Sequence, residues 1–276
     1  MNRKLARTLF TLLHYLLAAG ISFLILVPFL WMLSTSLKDR GALFALPIQW
    51  LPERPTLDSY FKVFQIFPFA RAFLNSVVVT VATVAVTIAS ASLAAFAFAK
   101  LRFRGKEVLF ALFLATMMVP QQVTTIPLFL VLKAVGLLDS HAGVVLPAFF
   151  NAFAVFMLRQ HMAGIPGDFI DAARIDGAPP FLVYRAVVMP LLSASLATLA
   201  VITFMAAWND YFWPLVVLSD KTKLTLTLAL SQLNGQYANW YNVLMAGSVL
   251  SMLPIIAVYI AAQRWFKGGL QVGGLK

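Results

Sequence analysis

The sequence predicts an all-α, polytopic membrane protein with six transmembrane helices, and three observations lead there. Of its 276 residues 61% are hydrophobic and only 11% are charged, far below the about 25% charged residues of a soluble domain. Six stretches contain no Asp, Glu, Lys or Arg: 8–37, 72–99, 108–132, 142–158, 186–209 and 224–263. A spanning helix needs about 20 mainly apolar residues. Hydrocarbon offers the backbone no water to bond, so runs of this kind must be helices and not open sheet. The chain from 1 to 276 reads as a single transmembrane domain, with spans at about 15–33, 76–99, 108–131, 142–158, 187–208 and 243–263.

The first span follows Arg3, Lys4 and Arg7 and passes Ala18-Ala19-Gly20, an opening that resembles a signal peptide. The run continues without a charge to Leu37, which makes it an uncleaved span. Residues 34–75 then form an outside segment with Pro47, Pro52 and Pro55 and an amphipathic stretch over 60–73. Two readings of it stand: a surface for a soluble partner, or a tether lying at the membrane interface.

After the second span the loop KLRFRGK, 100–106, carries four cations in seven residues. Short loops of this kind weigh most in the positive-inside rule. With a cytoplasmic N-terminus, thirteen of the 21 Lys and Arg fall inside and eight outside, which places both termini and the loop 166–190 in the cytoplasm. The net charge of +11 follows from this topology, because the basic residues flank apolar spans and form no long tract of the kind that binds nucleic acid.

The third span contains MMVPQQVTTIP, with Pro120 and Pro127 among Gln121, Gln122, Thr124 and Thr125. Each proline removes a backbone bond and bends its helix, and the neighbouring amides and hydroxyls can satisfy freed carbonyls or line a wet path. The bend faces either a pathway or another helix of the chain. The fifth span ends in WNDYFWP, 208–214, where Asn209 and Asp210 are flanked by aromatic rings. An acid at membrane depth is costly enough to mark a cavity or a buried partner; the other reading is a helix end at the outer interface inside an aromatic belt. The sixth span is preceded by the polar segment 231–242 and followed by Arg264 and Lys267, whose stems can snorkel to the interface, and by a glycine-bearing tail.

The loop 166–190 organises the rest. Asp168 follows Pro166-Gly167 and is placed to cap a helix over 169–174. Gly177 stops that helix, and Pro179 and Pro180 suit the first turn of a second one towards Val188. Ala172 and Ala173 form a small patch edged by Asp171, Arg174 and Asp176, an interface pattern.

Asp171-Ala172-Ala173, then Gly177, then Met189-Pro190, resembles the EAA loop of the membrane-spanning subunits of ABC importers. The resemblance implies the MetI-like permease fold. It also implies that Asp171, Ala172, Ala173, Arg174, Asp176, Gly177 and Pro190 form a cytoplasmic coupling helix seated in a cleft of an ATPase subunit. The family's first residue is usually Glu; here Asp171 is one methylene shorter. The segments around Pro120, Gln121 and Gln122 and around Asn209 and Asp210 look like those of carbohydrate permeases, where they imply a translocation path. The tail is similar to that of the smaller permease subunit of the maltose importer. Further implications are a separate pair of ATPase subunits, a second and different permease chain, an extracytoplasmic solute-binding protein, and a bacterial inner membrane.

Absences narrow the classes. The chain has no G-x-x-x-x-G-K-[ST] run to cradle ATP, so hydrolysis is expected on a partner. It has no cysteine, and His14, His141 and His161 are isolated, so no metal, cofactor or catalytic residue is expected. The competing reading is a self-contained ion-coupled carrier or channel with Asp210 as its ion or proton site.

Overall fold

A computed structural model describes residues 3–43, 46–236 and 240–269, and all the regular structure among these is helical. The tail from Leu270 and the side chains of Arg264 and Lys267 lie outside the described residues. Three helices are long and apolar enough to cross a membrane: α1 (Arg3–Ser36), α3 (Phe69–Lys100) and α14 (Tyr241–Gly269). Three further helix pairs qualify if each counts as one span bent at a break: 103° between Lys106–Met118 and Gln121–Ala134, 42° between His141–Phe150 and Ala152–Ala163, and 79° between Pro180–Leu191 and Ser193–Trp208. By length and composition the described residues therefore hold three to six candidate spanning elements.

The remaining helices, in chain order, are α2 (Asp58–Ile66), α4 (Lys106–Ala115), α5 (Gln121–Ala134), α6 (His141–Val145), α7 (Ala152–Ala163), α8 (Gly167–Ile175), α9 (Pro180–Leu182), α10 (Met189–Leu191), α11 (Ser193–Trp208), α12 (Phe212–Val217) and α13 (Leu226–Gln236). Between α9 and α10 the backbone winds as a π-helix over Val183–Val188.

The chain divides into two compact units. In the first, Met1–Phe69 with Leu230–Met252, apolar side chains of α1 such as Leu13, Phe23 and Leu24 are more than half exposed, a surface suited to lipid rather than water. The segment after α1 is tied down by side-chain contacts. Lys38, 2% exposed, donates to Gln49 O and lies 4.3 Å over the Trp31 ring, while its own carbonyl accepts from Asn242 Nδ2 at 3.2 Å. Ser36 and Tyr60 share a 2.8 Å hydroxyl bond. The amphipathic stretch expected over 60–73 is broken: α2 stops at Ile66 and α3 starts at Phe69, because Pro68 has no N–H to carry one helix through.

The second unit, Ala70–Ala229 with Leu253–Lys276, holds the loop 166–190 and the residues around Gln121 and Asp210. Its core packs Ala91, Ala95 and Phe96 of α3, Phe110 of α4, Ala154, Val155, Leu158 and Met162 of α7, and Ile170 of α8 against Val183, Tyr184, Val188, Leu192 and Leu199. The alanines let α3 come close, and the wholly buried Leu158 and Met162 fill the space between helices. Beyond α5, Asp139 fixes a loop: its Oδ1 accepts the N–H groups of Ser219 and Asp220, both at 2.9 Å, and Lys223 Nζ donates to its carbonyl and to Oδ2. These bonds hold its carboxyl well below the ordinary range, at about 2, with the Asp220 and Ser219 N–H groups contributing most and Lys223 next.

The two prolines of the third expected span behave differently. Pro120 has extended backbone and sits at the 103° bend, whereas Pro127 lies inside α5 without interrupting it. The chain before Pro120 has already tightened into a 3-10 turn over Thr116–Met118, which leaves no α-helical ladder for Pro120 to interrupt gently.

Candidate functional site

Two sites emerge in the second unit. The first is the α8–α10 element. Ile170, 4% exposed, turns one side of α8 inwards, and Val183, Tyr184 and Val188 do the same for the π-wound stretch. Tyr184 is held twice, by a 2.8 Å hydroxyl bond to Ser92 and by an edge-on contact with Phe96 at 5.4 Å. Lys100 Nζ donates to Ile165 O at 2.8 Å just before α8. Arg159 ties α7 to α4, donating to Glu107 at 2.9 Å and lying 3.9 Å from the Phe110 ring centre.

The end of α8 is closed by two bonds that reach back, Ala178 N–H to Ala173 O at 2.9 Å and Gly177 N–H to Arg174 O at 3.0 Å. Gly177 at φ +79° makes this closure possible without a Cβ clash. Pro180 opens α9 with Pro179 before it, as expected. Asp168 corrects the expectation: α8 begins two residues earlier, at Gly167 after Pro166, and no side chain caps it. The Asp168 carboxylate sits in the first turn, where it favours the positive end of the helix dipole.

Asp171, Ala172, Arg174, Asp176, Gly177 and Pro190 are exposed. Ala173 is half-buried against the core, so the small patch narrows to Ala172. Asp171 pairs within its own helix, accepting from Arg174 at 3.3 Å. The sequence reading missed the apolar part of this surface. Ile175 is 87% exposed and Phe181 64%, with Phe169 and Leu182 about half exposed, and the signal was there as bulky apolar residues on both sides of Gly177 in a charged loop.

The second site is a cavity of about 700 Å³ whose lining comes from α3, the α4–α5 bend, α5, α6, α7, α11 and the turn into α12. Gln121 and Asp210 meet in it, together with Thr124 and Thr125; Pro120, Gln122 and Asn209 are not among its lining residues. Asn209 turns back on its own helix, donating to Met205 O at 2.8 Å. Asp210 accepts the Trp213 N–H at 3.2 Å and so steadies the start of α12. Trp208 is buried, stacked on Phe204 at 5.7 Å and edge-on to Phe73 at 5.6 Å, which makes it packing rather than a ligand platform. Lining residues not anticipated are Thr83, Thr87, Thr116, Asn151 and Thr203. His141 bonds Lys223 O and His161 bonds Met157 O, and no cluster of metal-ligating residues occurs among the described residues.

Residues 87–271, which include the α8–α10 element and all of the cavity lining except Val79 and Thr83, match the profile of binding-protein-dependent transport system inner membrane components. The chain belongs to that family. The permease is 34% identical over 276 residues to the arabinooligosaccharides transport system permease protein AraQ of Bacillus subtilis, covering 99% of this chain and 96% of that one. It is 31% identical over 276 residues to the lactose transport system permease protein LacG of Rhizobium radiobacter, covering 100% of each. Its structure matches that of a bacterial ABC transporter involved in the import of the acidic polysaccharide alginate, with a TM-score of 0.86 at 27% identity, over 96% of this chain and 99% of that chain. The permease is thus a multi-pass subunit of an ABC importer, and the reading of it as a self-contained carrier built on Asp210 gives way.

Proposed function

We propose that this permease forms, with a second and different permease chain, the path by which a sugar or related solute crosses a bacterial inner membrane. Each bent helix pair counts as one span, which makes six spans in one permease domain with both termini in the cytoplasm. A soluble binding protein outside delivers the solute, and two ATPase subunits inside, where ATP is hydrolysed, supply the energy. Relatives named for lactose and arabinooligosaccharides support a saccharide, and the named solutes fall in two electrostatic classes, neutral for these two and anionic for alginate and sn-glycerol-3-phosphate.

The observation that carries the coupling role is the α8–α10 element: exposed Ile175, Phe181, Ala172 and Asp171 outside, and Ile170, Tyr184 and Val188 locked into the core inside. A partner pressing on such an element moves packed helices rather than a slack loop. To couple, that partner must contact the element differently in its two nucleotide states.

Purifying the tagged chain from its native membrane in mild detergent, with mass spectrometry of what accompanies it, tests the assembly. Recovery of an ATPase and a second six-span chain, lost when Gly177 is changed to Asp, is the expected result; recovery of the chain alone overturns the proposal.

A further inference from the structure

We infer that the cavity of the second unit selects neutral polyhydroxyl solutes and excludes anionic ones. The inference rests on the translocation role proposed above and decides between the two solute classes.

The cavity, about 700 Å³, falls within the roughly 300–1,000 Å³ usual for small-molecule sites. Its polar lining is almost wholly uncharged. Asp210 is the one ionisable side chain among the lining residues, and none of them is Lys, Arg or His. An anion entering would meet a like charge and find no cation to pair with, the arrangement that recognition of carboxylate and phosphate requires.

The hydrogen-bonding inventory points the same way. Thr116, Thr124 and Thr125 spend their hydroxyl protons on backbone carbonyls, Thr116 on Phe113 O at 2.7 Å and the other two on Gln121 O at 3.0 and 2.9 Å. A hydroxyl that has donated still has lone pairs to offer, so these side chains present acceptors to the cavity. The Asp210 carboxylate adds more. Donors are present but uncharged. Asn151 uses its Oδ1 on the Ala154 N–H at 2.9 Å, which leaves its amide N–H groups. Trp213, 4% exposed, is a lining residue too, and its buried Nε1–H has no partner among the described residues. A sugar hydroxyl donates to the first set and accepts from the second. A uronate or phosphate oxygen only accepts, and the threonine and Asp210 oxygens repel it.

The test is equilibrium dialysis of two labelled probes of equal ring number, maltotriose and trigalacturonic acid, against the purified membrane complex. Binding protein is omitted so that the selectivity read is the complex's own. Maltotriose is expected to bind at least tenfold more tightly, since a like charge a few ångström away in a partly screened cavity is worth more than that factor. Gln121→Lys, at an exposed lining position, is expected to raise trigalacturonate binding at least tenfold, and Asp210→Asn to narrow the gap between the probes. Equal or tighter wild-type binding of trigalacturonate overturns the inference. So does binding of neither probe, or a ratio unmoved by Gln121→Lys. The permease assembly fails on a different readout, the absence of an ATPase from the purified complex.

Discussion

Gly177 is the point at which the coupling role can be separated from ordinary loop stability. Its φ of +79° places it in the left-handed region, and a Cβ built there meets nothing within 4 Å. A substitution therefore carries a backbone cost of about 1–2 kcal/mol and no steric cost from this chain. That cost shifts the order of the turn by roughly 5–30-fold. Any larger loss must come from a surface that seats itself on the turn. Gly177→Asn and Gly177→Asp are nearly equal in size, and both tolerate the left-handed region better than most residues, so the difference between them reads charge. The carboxylates of Asp171 and Asp176 are already exposed beside the turn, and a third adds like charge to the docking face. In proteoliposomes with the full complex, Gly177→Asn is expected to retain solute-stimulated ATP hydrolysis to within about 30-fold, and Gly177→Asp to lose it together with ATPase co-purification. Wild-type hydrolysis and uptake by Gly177→Asp would refute the reasoning.

The folded-state carboxyl of Asp139, at about 2, lies below its ordinary 3.8, so its stabilisation is complete above the higher value and is lost as pH falls towards the lower. Melting followed from pH 6 down to pH 3 should show Asp139→Asn losing less stability on acidification than the wild type. Arg159→Ala removes both the Glu107 bond and the stack on Phe110 and is expected to cost about 1 kcal/mol, read as a lower melting temperature in detergent; an unchanged midpoint would show that this tie is slack. Gly143→Ala would drive a Cβ into the Leu137 carbonyl, a backbone atom that cannot swing aside, and a loss of about 1–3 kcal/mol is expected from the same measurement. Tyr184→Phe gives up the buried bond to Ser92 and should cost about 1 kcal/mol, with the uptake rate reporting whether the coupling element has loosened.

The helical fold was legible because runs without charge have one stable form in hydrocarbon, and α1, α3 and α14 answer to such runs. The bends were not legible from proline alone. Pro28, Pro127 and Pro254 sit in continuous helices, while Pro120 marks a 103° turn, and the difference lies in the tightened backbone before Pro120. The loop 166–190 was readable where local chemistry decides, at Gly177 and Pro180, and misread where two residues of register decide, at Asp168. Ala173 is half-buried against the core for a reason no local pattern contains, the packing of α8 onto the cluster that holds Tyr184 and Val188.

The cavity shows the same division. Gln121 and Asp210 stood out as polar groups at the ends of apolar runs, but Thr83 and Thr87 are submerged in α3 and look apolar in any hydropathy average. Their spacing was a usable signal, since Val79, Thr83 and Thr87 recur every four residues and share one helix face. What gives that face its role is connectivity. The loop 166–190 is flanked in sequence by α7 and α11, and both contribute to the cavity: Ala152 and Phe153 from the start of α7, Ile202, Thr203, Ala206 and Ala207 from α11. The opposite end of α7 runs into the segment that Lys100 pins at Ile165, and α11 leaves directly from the stretch anchored by Val188 and Leu192. On the proposed coupling role, a displacement of α8–α10 would reach the cavity through α7, across residues 164–166, and through α11, across the 79° bend at Leu192.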